Sequence, residues 1–384
     1  MDFELSNEQK EIKRAAYEFA KGEFDKEVVM ELVQTHSYPF QILKKACELG
    51  FIAAHYPEAY GGQGLGILEN GLVVEEFCRQ DSSIVVALSI CNFCSEIILR
   101  CGTEEQKKKY LIPLAKGEAI SAGAFTEPDH GSDITQMNTT AILDGNEFVI
   151  NGTKTFISNG TTAKFAVVLC QTNPSAKPSY RGQSTILVEM DREGLEVADV
   201  GQKMGMHMCP TNELSFNNVR VPKENLIGQP DRGFHQVLEF FDGTRVMVAS
   251  QGLGMAQGAF DRALEYSKKR TQFGKKLIEF QVTQHKLADM ATKIEVVRLL
   301  TYKAGWNFDQ GRIDPKLTSM AKMFAARTAV EVSDEAIHIH GGYGYITEYE
   351  VERFYRDARI TEIYEGTREI QKNTIASYLI GKGR

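Results

Sequence analysis

EFVINGTKTFISNG (147–160) decides the fold class, because it interrupts a chain that is otherwise patterned for helices. Three more short runs of β-type residues follow it: FAVVLCQT (165–172), STILVEM (184–190) and ELSFNNVRVP (213–222). Polar turn sequences separate the runs, and Asp144-Gly145 lies just before the first as a hairpin signal. Since no helical segment intervenes, we expect an antiparallel β-sandwich or barrel over residues 121–225.

Both flanks of this β-patterned region follow a helical period. Ile12, Ala16 and Phe19 recur at helical spacing, and the apolar pattern continues over 41–51, 72–79 and 84–100. Beyond residue 226 the helical segments are 246–269, 283–310, 315–340 and 369–381. Long antiparallel helices with an apolar stripe normally pack as a bundle. The prediction is a mainly α protein with a central β domain: an N-terminal helical domain (1–120), a middle β domain (121–225) and a C-terminal four-helix bundle (226–384).

The composition is that of an average soluble globular chain of 384 residues. Apolar residues make up 42% and charged residues 25%, which excludes disorder, collagen and an isolated coiled coil. Lys and Arg total 44 against 51 Asp and Glu, a formal net charge of −7. General nucleic-acid binding requires dense positive charge and is therefore not expected. No apolar run approaches the ~20 residues that span a bilayer, so no membrane association is expected either.

The first twenty residues, MDFELSNEQKEIKRAAYEFA, are charged and amphipathic. They lack the apolar core of a secretory signal, and their acidic residues argue against a transit peptide. The expected location is the cytoplasm, or an organelle matrix if the chain is a trimmed mature form.

Cysteine and histidine spacing does not predict a metal site. Seven cysteines are an odd number and no disulfide framework. Cys91 and Cys94 form a CxxC pair in apolar surroundings without a second pair, which favours buried helical cysteines over zinc ligands. His338 and His340 are two residues apart, the wrong spacing for one face of a helix. We predict no metal.

The stretch GLGMAQG (252–258) contains a GxG but has helical flanks. A dinucleotide fingerprint requires a strand before the glycines and a helix that opens at them. A nicotinamide dehydrogenase is therefore disfavoured, and the small residues favour close packing of two helices.

Four motifs occur in a fixed order: AFTEPDHGSD (124–133), TFISNG (155–160), RTQFGK (270–275) with HGGYGY (340–345), and IYEGTREIQ (363–371). Together with the helix–sheet–helix order they closely resemble the acyl-CoA dehydrogenase family of flavoproteins, over essentially the whole chain. The resemblance implies an FAD enzyme that oxidises the α,β bond of an acyl-CoA thioester and passes electrons to an electron-transfer flavoprotein. It also implies a homotetramer, built as a dimer of dimers.

Glu365, within YEGT, matches the catalytic base of the family. The resemblance implies that it removes the α proton while FAD takes the β hydride. An α proton beside a thioester is only weakly acidic, so a positioned carboxylate is needed, and a dry site would raise the pKa of that carboxylate. The alternative is a solvated glutamate in a loop or in the first turn of a helix.

The resemblance further implies a set of FAD contacts. Hydroxyl and backbone N–H groups at the flavin edge tune its reactivity, an arginine fork suits a diphosphate, and glycines allow close approach. The matching residues are Phe125, Thr126, Phe156, Ser158, Arg270, Gln272, Phe273, His338, Gly341, Gly342, Thr367 and Glu369. The segment that begins at Arg270 matches one that reaches the FAD of a neighbouring subunit. Taken alone, these residues are equally typical of turns, caps and strands.

Acyl-CoA contacts are implied in the same way at Ser132, Leu238, Phe241, Asp242, Arg245, Tyr364, Gly366 and Cys91. Side chains expected around the acyl group, such as Ile90, Phe93 and Cys94, are apolar. They favour a short, branched or alicyclic hydrocarbon chain over a dicarboxylate, and acyl length stays open.

Two other functions remain open at this point. A flavin-dependent oxidase or monooxygenase on the same fold would also retain Glu365, although Ser132 and Arg245 at the CoA end favour the dehydrogenase. A non-catalytic acyl-CoA-binding protein would not need a base together with both diphosphate motifs.

Overall fold

The computed structural model describes residues 4–382, and the predicted order of helices, sheet and helices is confirmed. The N-terminal helices are α1 (Asn7–Glu23), α2 (Lys26–Thr35), α3 (Phe40–Glu48), α4 (Ile67–Gln80), α5 (Ser82–Ser89), α6 (Ser95–Cys101) and α7 (Glu104–Ala115). Local chemistry sets their starts: Ser6 with Gln9, and Thr103 with Gln106, form capping boxes at α1 and α7.

The middle of the chain forms a seven-stranded sheet in the order β1-β4-β2-β3-β7-β6, with β5 on the other side of β4. Its strands are β1 (Ser121–Ala124), β2 (Thr140–Asp144), β3 (Glu147–Ser158), β4 (Phe165–Gln171), β5 (Gln183–Glu189), β6 (Leu195–Asp199) and β7 (Thr211–Pro222). The sheet is antiparallel, as expected, except that β4 runs parallel to β1 and meets β2 at one parallel pair. Asp144 pairs with Glu147 across the predicted hairpin turn.

Strand β4 is buried on both faces, which explains its unbroken apolar sequence. Val167 and Leu169 join the large core that the helices share with one face of the sheet. Ala166 and Val168 point to the opposite face, where β3, β5 and β7 complete a second core. The sheet is thereby fixed against the helices, and the ends of β1 and β3 have defined positions relative to them.

The C-terminal part contains α8 (Gly233–Lys269), a short hairpin of β8 (Thr271–Gln272) and β9 (Lys275–Lys276), and then α9 (Gln281–Asp309), α10 (Pro315–His340), α11 (Val351–Thr361) and α12 (Arg368–Leu379). Helix α8 packs against α4, α9 and α10, while α10 also contacts α11 and α12. Helix α8 begins at Gly233 and not at the predicted residue 246. Its first turns are buried on several sides and therefore lack the amphipathic period on which the prediction relied.

The 252–258 stretch lies wholly inside α8, so the strand–turn–helix context of a dinucleotide fingerprint is absent there. A Cβ on Gly254 would lie 2.3 Å from the carbonyl oxygen of Glu75 on α4. The glycine therefore permits the close helix packing that the sequence predicted.

Within residues 4–382 no helix is both long and apolar enough to cross a membrane. Over the same residues, no group of three or more His, Cys, Asp or Glu side chains could hold a metal ion. Cys91 and Cys94 are free and buried, as predicted, but they lie in the turn between α5 and α6 and not within a helix.

Candidate active site

Glu365 lies in the loop between α11 and α12, beside the N-terminal part of α8. Thr244 on α8 donates a hydrogen bond from Oγ1 to Glu365 Oε2 at 2.6 Å. The φ angle of Glu365 is 54°, in the left-handed region that non-glycine residues rarely adopt, and Gly366 follows at 92°. Such a conformation persists only where the surroundings hold it, so this loop is built to place the carboxylate.

Two buried side chains hold the backbone of this loop. Lys322 on α10 donates from Nζ to the Gly366 carbonyl at 2.7 Å. Gln371 on α12 donates from Nε2 to the carbonyls of Glu365 at 3.0 Å and Gly366 at 2.9 Å. Neither Lys322 nor Gln371 was predicted from the sequence, since nothing in a helical lysine or glutamine signals a distant carbonyl partner.

Burial raises the pKa of Glu365 to about 6. The Thr244 hydrogen bond and the positive charges of Lys322 and Arg245 lower this pKa, and the negative charge of Glu96 raises it. The side chain nevertheless keeps partial exposure, so a ligand can reach it. A carboxylate with a pKa near neutrality suits general-base chemistry at physiological pH.

Arg245, the next residue along α8, is buried with 6% exposure. Its Nη1 lies 3.1 Å from Asp242 Oδ1, and burial lowers its pKa. The buried Nε has no hydrogen-bond partner among the described residues. Since buried N–H groups are normally paired, this free donor fits a ligand that brings its own acceptor. The predicted residues Asp242 and Arg245 are thus brought beside Glu365.

The predicted flavin-facing residues lie together at the ends of β1 and β3. The Phe125 ring contacts the Phe241 ring on α8 edge to face at 5.9 Å. The backbone N–H of Thr155 donates to the Thr126 carbonyl at 2.9 Å and joins the two strand ends. Phe156 has a φ of 57° and is 68% exposed. A large apolar side chain held exposed in a strained conformation points to a ligand that covers it.

A buried ion pair beneath this region was not predicted. Lys154 Nζ lies 2.9 Å from Glu127 Oε1 and also donates to the Phe125 carbonyl at 3.0 Å. The Glu127 carboxylate accepts further bonds from the backbone N–H groups of Asn138 and Thr139. The pair is fully hydrogen-bonded, so it fixes the loop that follows β1 and presents Phe125. Ser132 lies exposed farther along that loop.

A hydrogen-bonded bridge of three polar side chains, Tyr364, Gln251 and Ser89, connects the loop of Glu365 to α8 and α5. The Tyr364 hydroxyl donates to Gln251 Oε1 on α8, and Gln251 Nε2 donates to Ser89 Oγ on α5 at 2.9 Å. Gln251 is two helical turns, about 10 Å, beyond Thr244. A cavity of about 30 Å³ remains near Ser89 and Met247. The bridge therefore ties the loop that carries Glu365 to α8 and α5.

A second set of predicted residues lines a cavity of about 430 Å³ at the far end of α8. Among its lining residues are Arg270, Gln272, Gly341 and Gly342. A Cβ on either glycine would meet nothing within 4 Å, so the backbone there is open to a ligand. Phe273, beside them, is 94% exposed. Arg270 supplies a guanidinium beside this open backbone, and a guanidinium pairs with two oxygens of a diphosphate, so this chain's residues suit that part of FAD.

The structure separates two predicted residues, His338 and Cys91, from these groups. His338 lies on the outer side of α10, 3.7 Å from Asp334, and it is His340 that lines the cavity. Cys91 is fully buried, and its neighbour Cys94 is the thiol that interacts electrostatically with Glu365. Both cysteines lie in the turn between α5 and α6, whereas the sequence predicted that they lie within a helix.

Thr367 and Glu369 begin α12. The Thr367 hydroxyl accepts a bond from the backbone N–H of Ile370 at 3.3 Å as an N-cap, and Glu369 is exposed in the first turn. Both residues therefore have a local role at the start of a helix, which is the alternative to an FAD contact that the sequence left open.

The two groups of ligand-facing residues lie at opposite ends of one helix. From Thr244 to Arg270 an α-helix rises about 39 Å. The two groups are therefore too far apart along α8 to lie side by side in one site.

Family models match nearly the entire chain. The acyl-CoA dehydrogenase N-terminal domain matches residues 6–118, the middle domain 122–219 and the C-terminal domain 231–380.

Relatives of known name agree with these matches. The chain is 42% identical to the acryloyl-CoA reductase (NADH) of Anaerotignum propionicum, over 98% of this chain and 95% of that protein. Its structure resembles butyryl-CoA dehydrogenase from Megasphaera elsdenii, with a TM-score of 0.94, 37% identity and coverage of 99% and 100%. It also resembles a chain from a structure of the electron-transferring flavoprotein of Acidaminococcus fermentans, from work on flavin-based electron bifurcation, with a TM-score of 0.95, 41% identity and coverage of 99% and 100%.

Proposed function

The chain belongs to the acyl-CoA dehydrogenase family of FAD-dependent oxidoreductases, and we propose that it dehydrogenates a short-chain acyl-CoA to the 2-enoyl-CoA with Glu365 as the base. The observation that carries the proposal is the Glu365 carboxylate. It is held in a strained loop, fixed by Thr244, and given a pKa of about 6 by burial.

Each residue of the candidate site, and the bound FAD, has a separate task in the proposed reaction. Glu365 accepts the α proton as the α C–H bond breaks, and the electron pair of that bond becomes part of the new α,β double bond. Bound FAD supplies the acceptor for the hydride that leaves the β carbon. The Thr244 hydroxyl bonds Oε2, and among the described residues nothing bonds Oε1, which is therefore the oxygen available to the proton. The buried Nε of Arg245 offers a donor to an oxygen of the bound thioester.

We propose a short acyl group, and the hydrogen-bonded bridge of Tyr364, Gln251 and Ser89 is the set of side chains next to Glu365 that would end its space. The similarity to a butyryl-CoA dehydrogenase supports the same size class. We therefore place a four-carbon acyl group ahead of octanoyl, glutaryl or cyclohexanecarboxyl groups.

Anaerobic mixing of the FAD-loaded protein with a panel of acyl-CoA thioesters tests this function. Flavin absorbance should bleach rapidly with butyryl-CoA and slowly or not at all with the octanoyl, glutaryl and cyclohexanecarboxyl thioesters. The Glu365→Gln protein should retain FAD and bind the thioester without bleaching, while Glu224→Gln, an exposed glutamate on the middle domain, should bleach normally. Full bleaching in Glu365→Gln would refute the assignment of the base.

The reverse reaction is a second candidate, because the chain is 42% identical to a protein named as an acryloyl-CoA reductase. The same Glu365 would then return the α proton to a 2-enoyl-CoA. Measurement of the rate in both directions with butyryl-CoA and crotonyl-CoA, using a dye donor or acceptor of matched potential, decides between the two.

We propose an electron-transfer flavoprotein as the redox partner, because a structurally similar chain belongs to work on such a flavoprotein. Stoichiometric reduction of that flavoprotein, without oxygen consumption in its absence, is the expected result. Oxygen consumption with acyl-CoA alone would favour the oxidase.

We propose a homotetramer, as the family resemblance implies. Arg270 lies about 39 Å along α8 from Thr244 at the base site, so we propose that a complete site takes residues from two chains, which requires at least a dimer. Light scattering of the holoenzyme should give the mass of a tetramer, and the mass of a monomer would refute the shared site.

A further inference from the structure

Lys322 is a buried cation whose only hydrogen bond in the described part of the chain goes to the loop that holds Glu365. Its side chain is 1% exposed, and Nζ contacts the Gly366 carbonyl at 2.7 Å. No carboxylate among residues 4–382 forms an ion pair with it. Burial of an ammonium group costs free energy unless an opposite charge compensates it, so a buried lysine without an ion pair indicates a specific role.

The charge that favours the Lys322 ammonium most is the carboxylate of Glu365. Burial lowers the pKa of Lys322 to about 8, and the negative charges of Glu365 and Glu362 oppose that shift. In return, Lys322 lowers the pKa of Glu365 more than any other charged group does. The two groups therefore stabilise each other's ionised forms across the Gly366 peptide.

We propose that Lys322 is a positioning residue for the general base: its Nζ holds the Gly366 carbonyl and places a buried positive charge beside the loop that carries Glu365. The proposal rests on the role of Glu365 as the base. Lys322 itself does not need to touch the substrate, because it acts through the loop and through its charge.

Gln371 provides an internal comparison. It donates to the same Gly366 carbonyl and is fully buried, but it has no charge. Loss of Gln371 removes an anchor of the loop, whereas loss of Lys322 removes an anchor and a cation. Any effect specific to Lys322 therefore reports the charge.

Other groups around the carboxylate remain in place in both variants. The ones that face Glu365 or Lys322 come from several elements: Thr244 and Arg245 on α8, Glu96 on α6, Cys94 before α6, Glu362 after α11, and Tyr364 in the same loop. Without the Lys322 cation, only the Thr244 hydrogen bond and the positive charge of Arg245 still oppose the effect of burial on the pKa of Glu365. Loss of the Lys322 cation must raise the pKa of Glu365, so the base becomes protonated at neutral pH and the rate falls there.

The experiment follows exchange of the α hydrogens of butyryl-CoA in D₂O by mass spectrometry, from pH 5 to 8, with purified FAD-loaded protein. Lys322→Gln retains an N–H donor without charge, Lys322→Met removes both, and Lys322→Arg keeps the charge. Exchange reports proton removal directly, and flavin absorbance verifies that each variant is folded.

We expect the rising limb of the exchange profile to move to higher pH by about 1 unit in Lys322→Gln and Lys322→Met. In Lys322→Arg it should stay at the wild-type position. Gln371→Met should reduce the plateau rate without moving the limb. If Lys322→Met does not retain FAD, the Gln and Arg variants decide, since they differ in charge.

The experiment distinguishes a wrong role for Lys322 from a wrong role for Glu365. An unmoved limb in the uncharged Lys322 variants, with exchange abolished by Glu365→Gln, would overturn the role of Lys322 and leave the base intact. Undiminished exchange in Glu365→Gln would overturn the proposed function itself.

Discussion

Thr244 Oγ1 lies 2.6 Å from Glu365 Oε2, and this bond joins the central helix α8 to the loop between α11 and α12. The hydroxyl donates, so it stabilises the ionised carboxylate and lowers its pKa against the effect of burial. With Glu365 as the proposed base, we expect its pKa of about 6 to set the lower pH limit of the reaction, since a general base must be deprotonated before it can act.

Loss of the Thr244 hydroxyl should shift the pH profile upward. In the wild-type enzyme kcat/KM should rise through about pH 6, where Glu365 loses its proton. Thr244→Val keeps the shape but removes the donor, so the rising limb should move to higher pH by about 0.5–1 unit. The control is Thr292→Val on the exposed side of α9, and equal profiles for all three proteins would contradict the role of the bond.

Removal of the Arg270 guanidinium should weaken FAD binding at the far end of α8. A charge-assisted hydrogen bond contributes about 1.5–3 kcal/mol, so Arg270→Ala should bind FAD roughly 10- to 100-fold less tightly, and its oligomer should dissociate more readily. Flavin absorbance after gel filtration and light scattering measure the two effects. Arg14→Ala, on exposed α1, is the control, and full FAD occupancy in Arg270→Ala would exclude the assigned role.

Shortening of Gln251 should lengthen the accepted acyl chain. Gln251→Ala breaks the bridge from Tyr364 to Ser89 and opens space beyond the base. The ratio of kcat/KM for octanoyl-CoA to that for butyryl-CoA should rise about tenfold, because each accommodated methylene adds favourable contact. The control is Gln257→Ala on the same helix, because the Gln257 side chain bonds Asp261 and is not part of the bridge. An unchanged ratio in Gln251→Ala would show that other side chains set the depth.

Separation of the buried pair below the flavin-facing loop should destabilise the protein. Lys154→Met leaves the Glu127 carboxylate buried without its cation, at a cost of about 3–5 kcal/mol in the free energy of unfolding. The double variant with Glu127→Gln should recover part of this loss. Urea unfolding of the FAD-loaded proteins measures both, and additive losses in the double variant would mean that the two residues act independently.

The fold order and much of the site could be predicted from the sequence because both depend on local signals. The switch from a helical period to short β runs separates the sheet from the helices, and the YEGT motif marks Glu365. The boundary of α8 could not be read in this way, because a helix buried on several sides loses its polar face.

The partners of Glu365 could not be predicted for a different reason. Thr244, Lys322 and Gln371 sit on three helices and meet the loop only after packing. A lysine within a helix is normally a solvated surface residue, and only the tertiary structure shows that this one is buried.

Helix α8 has the base site near one end and the diphosphate cavity at the other, which fixes its length. One inserted residue between Thr244 and Arg270 would rotate the two ends by about 100° and move them about 1.5 Å apart. Either site would then face away from its ligand. Insertions and deletions among related proteins should therefore accumulate in the connecting loops and be excluded from this helix, because α8 sets the distance between the base site and the diphosphate cavity.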